Sequence, residues 1–126
     1  MHRSRLAGFI IDCNTQDLES AAQFWSGALG MAVRALPGEE GEKYVQLIDP
    51  ADRLHVEVQT VSHPSRVHLD IESDDVEAEV RRLEQLGARR VQQVGTWWVM
   101  AAPTGQRFCV VHGKGAAFAL QAQQWK

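Results

Sequence analysis

The stretch DLESAAQFWSGALG, at positions 17–30, predicts an amphipathic helix with a defined start and a defined end. Asp17 can accept hydrogen bonds from the free N–H groups of the first turn, and Gly30 can adopt the left-handed conformation that ends a helix. The apolar residues between them recur at helical spacing. A second stretch of the same design, DVEAEVRRLEQLG, lies at positions 75–87. Together they predict two copies of one structural unit.

Strand-like segments surround each predicted helix in the same order. One strand precedes each helix and three follow it, and a proline-containing turn precedes the last strand of each half. The predicted strands are 6–14, 32–36, 43–48 and 54–59 in the first half, and 66–72, 89–94, 97–101 and 108–112 in the second. The sequence therefore predicts an α+β fold made of two βαβββ repeats, at about 6–60 and 65–112.

Length and composition limit the classes of function. The chain has 126 residues, 16 acidic and 13 basic, and a net charge of −3, which argues against a nucleic-acid partner. It contains no apolar run long enough to span a bilayer and no signal-peptide pattern, so we expect no membrane contact and a cytoplasmic location. Two cysteines, Cys13 and Cys109, suit a reducing compartment. We expect one domain at 1–112 and a tail at 113–126, either a short amphipathic helix or a frayed end.

Several segments of the paired repeat carry a family resemblance. They are the two helical stretches, RVHLDI at 66–71, LGA at 86–88 and APTGQRFCVV at 102–111. With this repeat the chain resembles the vicinal oxygen chelate superfamily, which includes glyoxalase I, extradiol dioxygenases and bleomycin-resistance proteins, and most closely its glyoxalase-like domain proteins. The resemblance covers about residues 6–112. It implies a curved mixed sheet around a cavity and a homodimer.

Side-chain alternation separates an apolar from a polar face on the predicted strands. The apolar sets, such as Phe9, Ile11 and Cys13, should pack under the helices, whereas the polar sets face either solvent or a cleft. The resemblance favours a ligand-binding cavity lined by Asp12, His55, Glu57, His68, Asp70 and Trp98. Trp97 and Trp98 point to opposite faces, and alternation alone leaves open which one reaches the ligand. An acidic lining would suit a cationic or amine-bearing molecule, or a metal.

The resemblance also implies where a divalent metal would bind, because superfamily enzymes use four side chains, two from each unit. The first ligand position falls at Gly8 or Ile10, which cannot coordinate through their side chains. The remaining positions fall at His55 or Glu57, at His68, and at Cys109 in place of a glutamate. A set drawn from His55, Glu57, His68 and Cys109 could hold zinc, iron, manganese or nickel. The incomplete pattern favours a protein that needs no cofactor.

Three functions are consistent with this pattern. The favoured one is a metal-independent protein that binds a small molecule in the cavity between its two units. The alternative is a metal-dependent lyase, isomerase or dioxygenase that uses His68 with His55 or Glu57, and also Cys109. The third is a dimeric interaction module with Trp125 at its interface. The sequence contains no Ser/His/Asp arrangement, phosphate-binding loop or dinucleotide motif that would support a hydrolase or a nucleotide cofactor.

Overall fold

The computed structural model describes every residue from Met1 to Lys126. The elements follow in the order β1 (His2–Cys13), α1 (Leu18–Leu29), β2 (Ala32–Ala35), α2 (Glu40–Lys43), β3 (Tyr44–Ile48), β4 (His55–Thr60), β5 (Arg66–Ser73), α3 (Val76–Gln85), β6 (Arg89–Val94), β7 (Trp97–Ala101), β8 (Arg107–His112), α4 (Ala116–Gln121) and β9 (Gln123–Trp125). The predicted α+β class and the repeated βαβββ order are confirmed. None of the four helices has the length and apolar character that crossing a membrane requires.

The chain divides into two compact units, one formed by Gly8–Val67 and the other by Met1–Ala7 together with His68–Lys126. We call them the continuous unit and the split unit. Strand β1 contributes its first residues to the split unit and its last residues to the continuous unit. Each unit contains one βαβββ repeat, and the split unit also contains α4 and β9.

The continuous unit packs helix α1 against one face of a four-stranded sheet. The strand order is β2-β3-β4-β1, with β1 and β4 parallel and the other neighbours antiparallel. The buried core under the helix consists of Ile11, Leu47, Val56 and Val58, with Phe9, Cys13 and Leu54 at its margin. The predicted apolar faces of β1 and β4 are therefore confirmed. The helix begins and ends as expected: Asp17 accepts a hydrogen bond from the Ser20 backbone N–H, and Gly30 has a φ of 68°.

Gly8 allows β1 and β4 to approach closely within the continuous unit. A Cβ atom on Gly8 would lie 1.8 Å from the backbone oxygen of His55, far inside van der Waals contact. The two residues are register partners in the parallel ladder. Any side chain at position 8 would therefore push the strands apart at His55.

The split unit packs helix α3 against strands β6, β7 and β8. Its strand order is β1-β5-β8-β7-β6, with β5 and β8 parallel and β9 antiparallel to His2–Ser4. The buried core consists of Val80, Leu83, Met100, Phe108 and Val110, and Ile71 packs at its margin. Leu69 shares the alternation of Ile71, the apolar set of β5 expected under the helix, but it is 50% exposed, so only the later part of β5 contributes to this core. Val67, at the start of β5, is 57% exposed.

The C-terminal tail is docked on the split unit. Trp125 donates a hydrogen bond from Nε1 to Ser4 Oγ at 2.8 Å, and the Arg82 guanidinium lies 3.8 Å from the centre of its indole ring. Arg3 donates to the backbone oxygens of Ala119 and Ala122 in helix α4 and at its end. Of the two expectations for residues 113–126, the helix is confirmed, and the strand that follows it was not expected.

A buried carboxylate connects the two chain segments of the split unit. Glu79 of α3 is fully buried and lies 2.8 Å from His2 Nε2. It also accepts two hydrogen bonds from Arg82, at 2.7 and 2.9 Å. Burial alone raises the pKa of Glu79, but hydrogen bonds from Arg82, His2 and Ser4 outweigh it, so that the pKa is lowered. No sequence pattern pointed to His2 as a partner of this helix.

Candidate functional site

His68, Asp70 and Cys109 form a cluster on the polar face of β5 and β8 in the split unit. The parallel register places Asp70 beside Cys109, and alternation places His68 on the same face of β5. One nitrogen, one oxygen and one sulfur atom of these side chains all lie within 4.8 Å of one another. Nε2 of His68 and Oδ1 of Asp70 are 3.7 Å apart. We call these residues the His68–Asp70–Cys109 cluster.

Strands β5 and β8 position this cluster through the core side chains on their opposite face. Phe108 and Val110 flank Cys109 along β8 and are buried in the core under α3. Ile71 follows Asp70 and packs against the same core. Because interior side chains are closely packed, the directions of Asp70 and Cys109 are fixed by their neighbours in the core.

Arg107 shares the face of the cluster, and nothing in the sequence analysis singled it out. It lies two residues before Cys109 on β8, and the β5–β8 register continued by one residue sets it beside His68. Its Nη1 atom is buried and has no hydrogen-bond partner in the structure. Alternation from Cys109 is the sequence signal that would have found Arg107.

The two adjacent tryptophans of β7 lie on opposite faces, as predicted, but their assignment differs from our expectation. Trp98, expected in the ligand-binding set, packs against the core under α3, and the Arg90 guanidinium lies 4.9 Å from its ring centre. Val99 is the register partner of Cys109, so alternation places Val99 and Trp97 on the face of the cluster. Trp97 is therefore the tryptophan on the side of Cys109.

The continuous unit has a polar face of its own, which carries the remaining predicted residues. His55 Nε2 and Glu57 Oε1 are 2.7 Å apart, so these two residues form an imidazole–carboxylate pair. Asp12 is buried, with Oδ2 at 3.9 Å from Arg66 Nε. A third polar contact joins Gln59 Nε2 to Tyr44 Oη at 2.9 Å. These residues alternate with the core residues of β1, β3 and β4 and lie away from α1.

The predicted metal ligands fall into two groups. His68 and Cys109 lie together with Asp70, which was predicted as a cavity residue and not as a ligand. His55 and Glu57 contact each other in the continuous unit. The four-residue set drawn from both units stays a prediction. Within the split unit, imidazole nitrogen, carboxylate oxygen and thiolate sulfur are the donors that zinc takes, and the 3.7 Å between His68 and Asp70 suits two ligands of one ion. The cluster therefore fits a divalent metal chemically.

Comparison with known proteins identifies the type of domain. The family model described as "Glyoxalase-like domain" matches residues 8–111. A hypothetical protein from Bacillus halodurans C-125 has a TM-score of 0.65 at 10% identity, over 90% of this chain and 97% of its own. Methylmalonyl-CoA epimerase from Mycobacterium tuberculosis has a TM-score of 0.59 at 15% identity, over 86% of this chain and 90% of its own.

A further solved structure agrees with this result. A glyoxalase/bleomycin resistance protein/dioxygenase superfamily member from Vibrio splendidus 12B01 has a TM-score of 0.51 at 17% identity, over 87% of this chain and 99% of its own. No curated protein matches the sequence. At these identities the likeness to solved structures shows a shared fold.

Proposed function

The chain belongs to the glyoxalase-like domain family, and from this premise we propose that it binds a small molecule on the face that carries the His68–Asp70–Cys109 cluster. The observation that supports this proposal is the cluster itself: three reactive side chains within 4.8 Å of one another, all partly buried. On a solvent-exposed face of a sheet, the stability of the fold does not require three such side chains to be grouped together. Concave or sheltered polar groups beside apolar ones are typical of ligand sites.

The neighbouring side chains suit a ligand with a polar head and an apolar part. His68 can donate or accept a proton, and the Asp70 carboxylate lies 3.7 Å from its imidazole. Cys109 offers a thiol beside them, and Val99 and Trp97 supply apolar surface on the same face. The expectation that the continuous unit also contributes Asp12, His55 and Glu57 to this binding stays a prediction. So do the homodimer, the cytoplasmic location and the absence of a nucleic-acid partner.

The second candidate function is a metal-dependent lyase, isomerase or dioxygenase. It is favoured by the three donors of the cluster, which would hold the ion through His68, Asp70 and Cys109. The ion would supply a Lewis acid that polarises a ligand oxygen. The similarity of fold to methylmalonyl-CoA epimerase supports this alternative as a class.

The test combines elemental analysis with ligand screening on untagged protein purified without chelator. Three proteins are compared: wild type, His68→Ala, and His112→Ala as a control, because His112 is an exposed histidine of β8 outside the cluster. Small molecules of positive, negative and zero charge are screened by thermal shift, with and without added zinc, since a ligand that binds the native state raises the melting temperature.

Each outcome separates the candidates. A ligand that stabilises metal-free wild type and His112→Ala, but not His68→Ala, supports the binding function. Near-stoichiometric metal that is lost only in His68→Ala supports the metal-dependent alternative. If neither metal nor any ligand distinguishes His68→Ala from His112→Ala, both proposals are wrong.

A further inference from the structure

We propose that Arg107 makes this face a site for small monocarboxylates, with the guanidinium binding the carboxylate and the His68–Asp70–Cys109 cluster contacting the rest of the molecule. This inference rests on the proposed binding function and adds the chemical class of the ligand. The buried Nη1 atom of Arg107 has no hydrogen-bond partner, and the fold alone does not account for this.

Two other sheltered arginines of the split unit, Arg5 and Arg82, are paired with carboxylates, whereas Arg3 donates to backbone oxygens. The side chain of Arg5 is 8% exposed, and its Nε donates to Glu72 at 2.7 Å. Arg82 makes two hydrogen bonds to the buried Glu79. These three guanidinium groups all have hydrogen-bond acceptors in the same unit, whereas Nη1 of Arg107 has none.

The chemistry of the guanidinium group defines which kind of acceptor would satisfy Nη1 of Arg107. A buried donor without an acceptor destabilises the folded protein, and more so when it is charged. The planar guanidinium matches a carboxylate with two parallel hydrogen bonds. Asp70 is a carboxylate on the same face and disfavours a dianion, so a singly charged carboxylate fits better than a phosphate.

This conclusion differs from the sequence-based expectation of a cationic ligand. That expectation came from Asp12, Glu57 and Asp70, which gave the polar strands an acidic character. On the face of the cluster, Arg107 adds a positive charge that the expectation did not include. We therefore expect the split unit to select for anionic small molecules.

Cys109 provides a direct test, because it lies two residues from Arg107 on the same face. Iodoacetate and iodoacetamide have nearly the same size, but only the first carries a carboxylate. With both reagents the thiolate sulfur forms a bond to the CH₂ carbon and iodide leaves. The ratio of the two alkylation rates therefore reports whether the site attracts a carboxylate, independently of the reactivity of the thiol. Mass spectrometry of peptides separates Cys109 from Cys13, which serves as the internal reference on the helix side of the other unit.

We expect wild type to show a higher iodoacetate-to-iodoacetamide ratio at Cys109 than at Cys13. In Arg107→Met the ratio at Cys109 should fall about tenfold, the effect of losing one charge-assisted hydrogen bond. Arg107→Lys keeps the charge without the planar fork, so its ratio should lie between the two. Arg81→Met, which removes an exposed arginine of α3, should leave the ratio unchanged and controls for net charge.

Two further outcomes distinguish the inference from the proposed function. If Cys109 reacts with iodoacetamide but the ratio is the same in Arg107→Met and wild type, the site admits small molecules without selecting carboxylates, and the inference is wrong. If Cys109 reacts with neither reagent in wild type, the face is closed and the binding function fails as well. Circular dichroism tests whether each variant is folded. If Arg107→Met does not fold, Arg107→Lys still provides the comparison with wild type.

Competition with acetate gives an independent measurement. Acetate, added at constant ionic strength, should slow the reaction of Cys109 with iodoacetate only where Arg107 is present.

Discussion

Two glycines of the continuous unit, Gly8 and Gly27, differ in the space around them. At position 8 the backbone of β1 meets that of β4 so closely that no Cβ fits, whereas Gly27 lies in helix α1, where a Cβ would meet no atom within 4 Å. The first glycine is required by packing of the backbone. The second only lowers the stability of its helix, because glycine loses more conformational entropy on folding than alanine does.

These two positions form a matched pair for a stability measurement. Gly8→Ala should lower the free energy of unfolding by about 3 kcal/mol or more, because the strands must separate at His55. Gly27→Ala should raise it by about 0.5–1 kcal/mol. Urea unfolding followed by circular dichroism measures both. If the two substitutions change the free energy of unfolding equally, β1 and β4 accommodate a Cβ atom at position 8 without loss of stability.

Short elements depend on partners that lie far away in the chain. Strand β9 has three residues and no apolar alternation, yet it pairs with His2–Ser4 and places Trp125 against Ser4 and Arg82. A strand of this length gains its stability from the side chains that anchor it. Trp125 combines a hydrogen bond, a cation–π contact and buried apolar surface.

Substitution of Trp125 separates these contributions. Trp125→Ala should destabilise the protein by about 3 kcal/mol, as expected for removing a large packed aromatic side chain. Trp125→Phe keeps a ring over Arg82 but loses the hydrogen bond to Ser4, and should cost about 1 kcal/mol. Gln124→Ala, at an exposed neighbour in β9, is the control. The role of Trp125 as an anchor is refuted if Trp125→Ala melts at the temperature of Gln124→Ala.

The elements that could be predicted from the sequence are those with local signals. Helices α1 and α3 combine a cap, a helical period and a terminal glycine, and alternation defines β4. Helix α2 has only four residues and no side-chain cap, so its sequence carries no local helix signal. Strand β9 and the first residues of β1 follow from their pairing with each other, which sequence alternation does not encode.

The same distinction applies to the candidate site. Alternation placed His68 and Asp70 on one face, and the structure agrees. Alternation cannot give the absolute direction of a strand, so the choice between Trp97 and Trp98 required the pairing of Val99 with Cys109. The grouping of Asp70 with Cys109 likewise depends on the β5–β8 register, which joins residues 39 positions apart in the chain only after folding.

At the scale of the whole molecule, the two repeats differ in how the chain builds them. The continuous unit uses Gly8–Val67, whereas the split unit needs Met1–Ala7 as well as His68–Lys126. Glu79 is central to the second arrangement, because it binds His2 from the first segment and Arg82 from the second. Its ionised form is therefore part of what holds the split unit together.

This arrangement predicts a dependence of stability on pH. The folded pKa of Glu79 lies below its ordinary value of 4.5. Its carboxylate therefore contributes stability that is complete above that value and is lost as the pH falls through the folded pKa. Glu79→Gln should lower the unfolding free energy by about 3 kcal/mol at pH 7 and flatten its decline in acid.

Glu77→Gln is the control for this prediction, because Glu77 is an exposed residue of the same helix whose hydrogen bonds from Arg90 also lower its pKa. Its effect should be about 0.5 kcal/mol. Urea titrations between pH 3 and 7 measure both variants. If the two substitutions change the acid limb equally, burial of Glu79 has no special importance.

The split unit has a further consequence during synthesis on the ribosome. All residues of the continuous unit have been synthesised once Val67 has been added, whereas Met1–Ala7 still lack their partners in β5, α3, α4 and β9. The edge of β1 at His2–Ser4 therefore stays unpaired until β9, with Trp125, has been synthesised. Contacts between such distant parts of a chain form slowly, and exposed strand edges promote aggregation. The nascent protein would therefore depend most on chaperones between the synthesis of Val67 and the synthesis of β9.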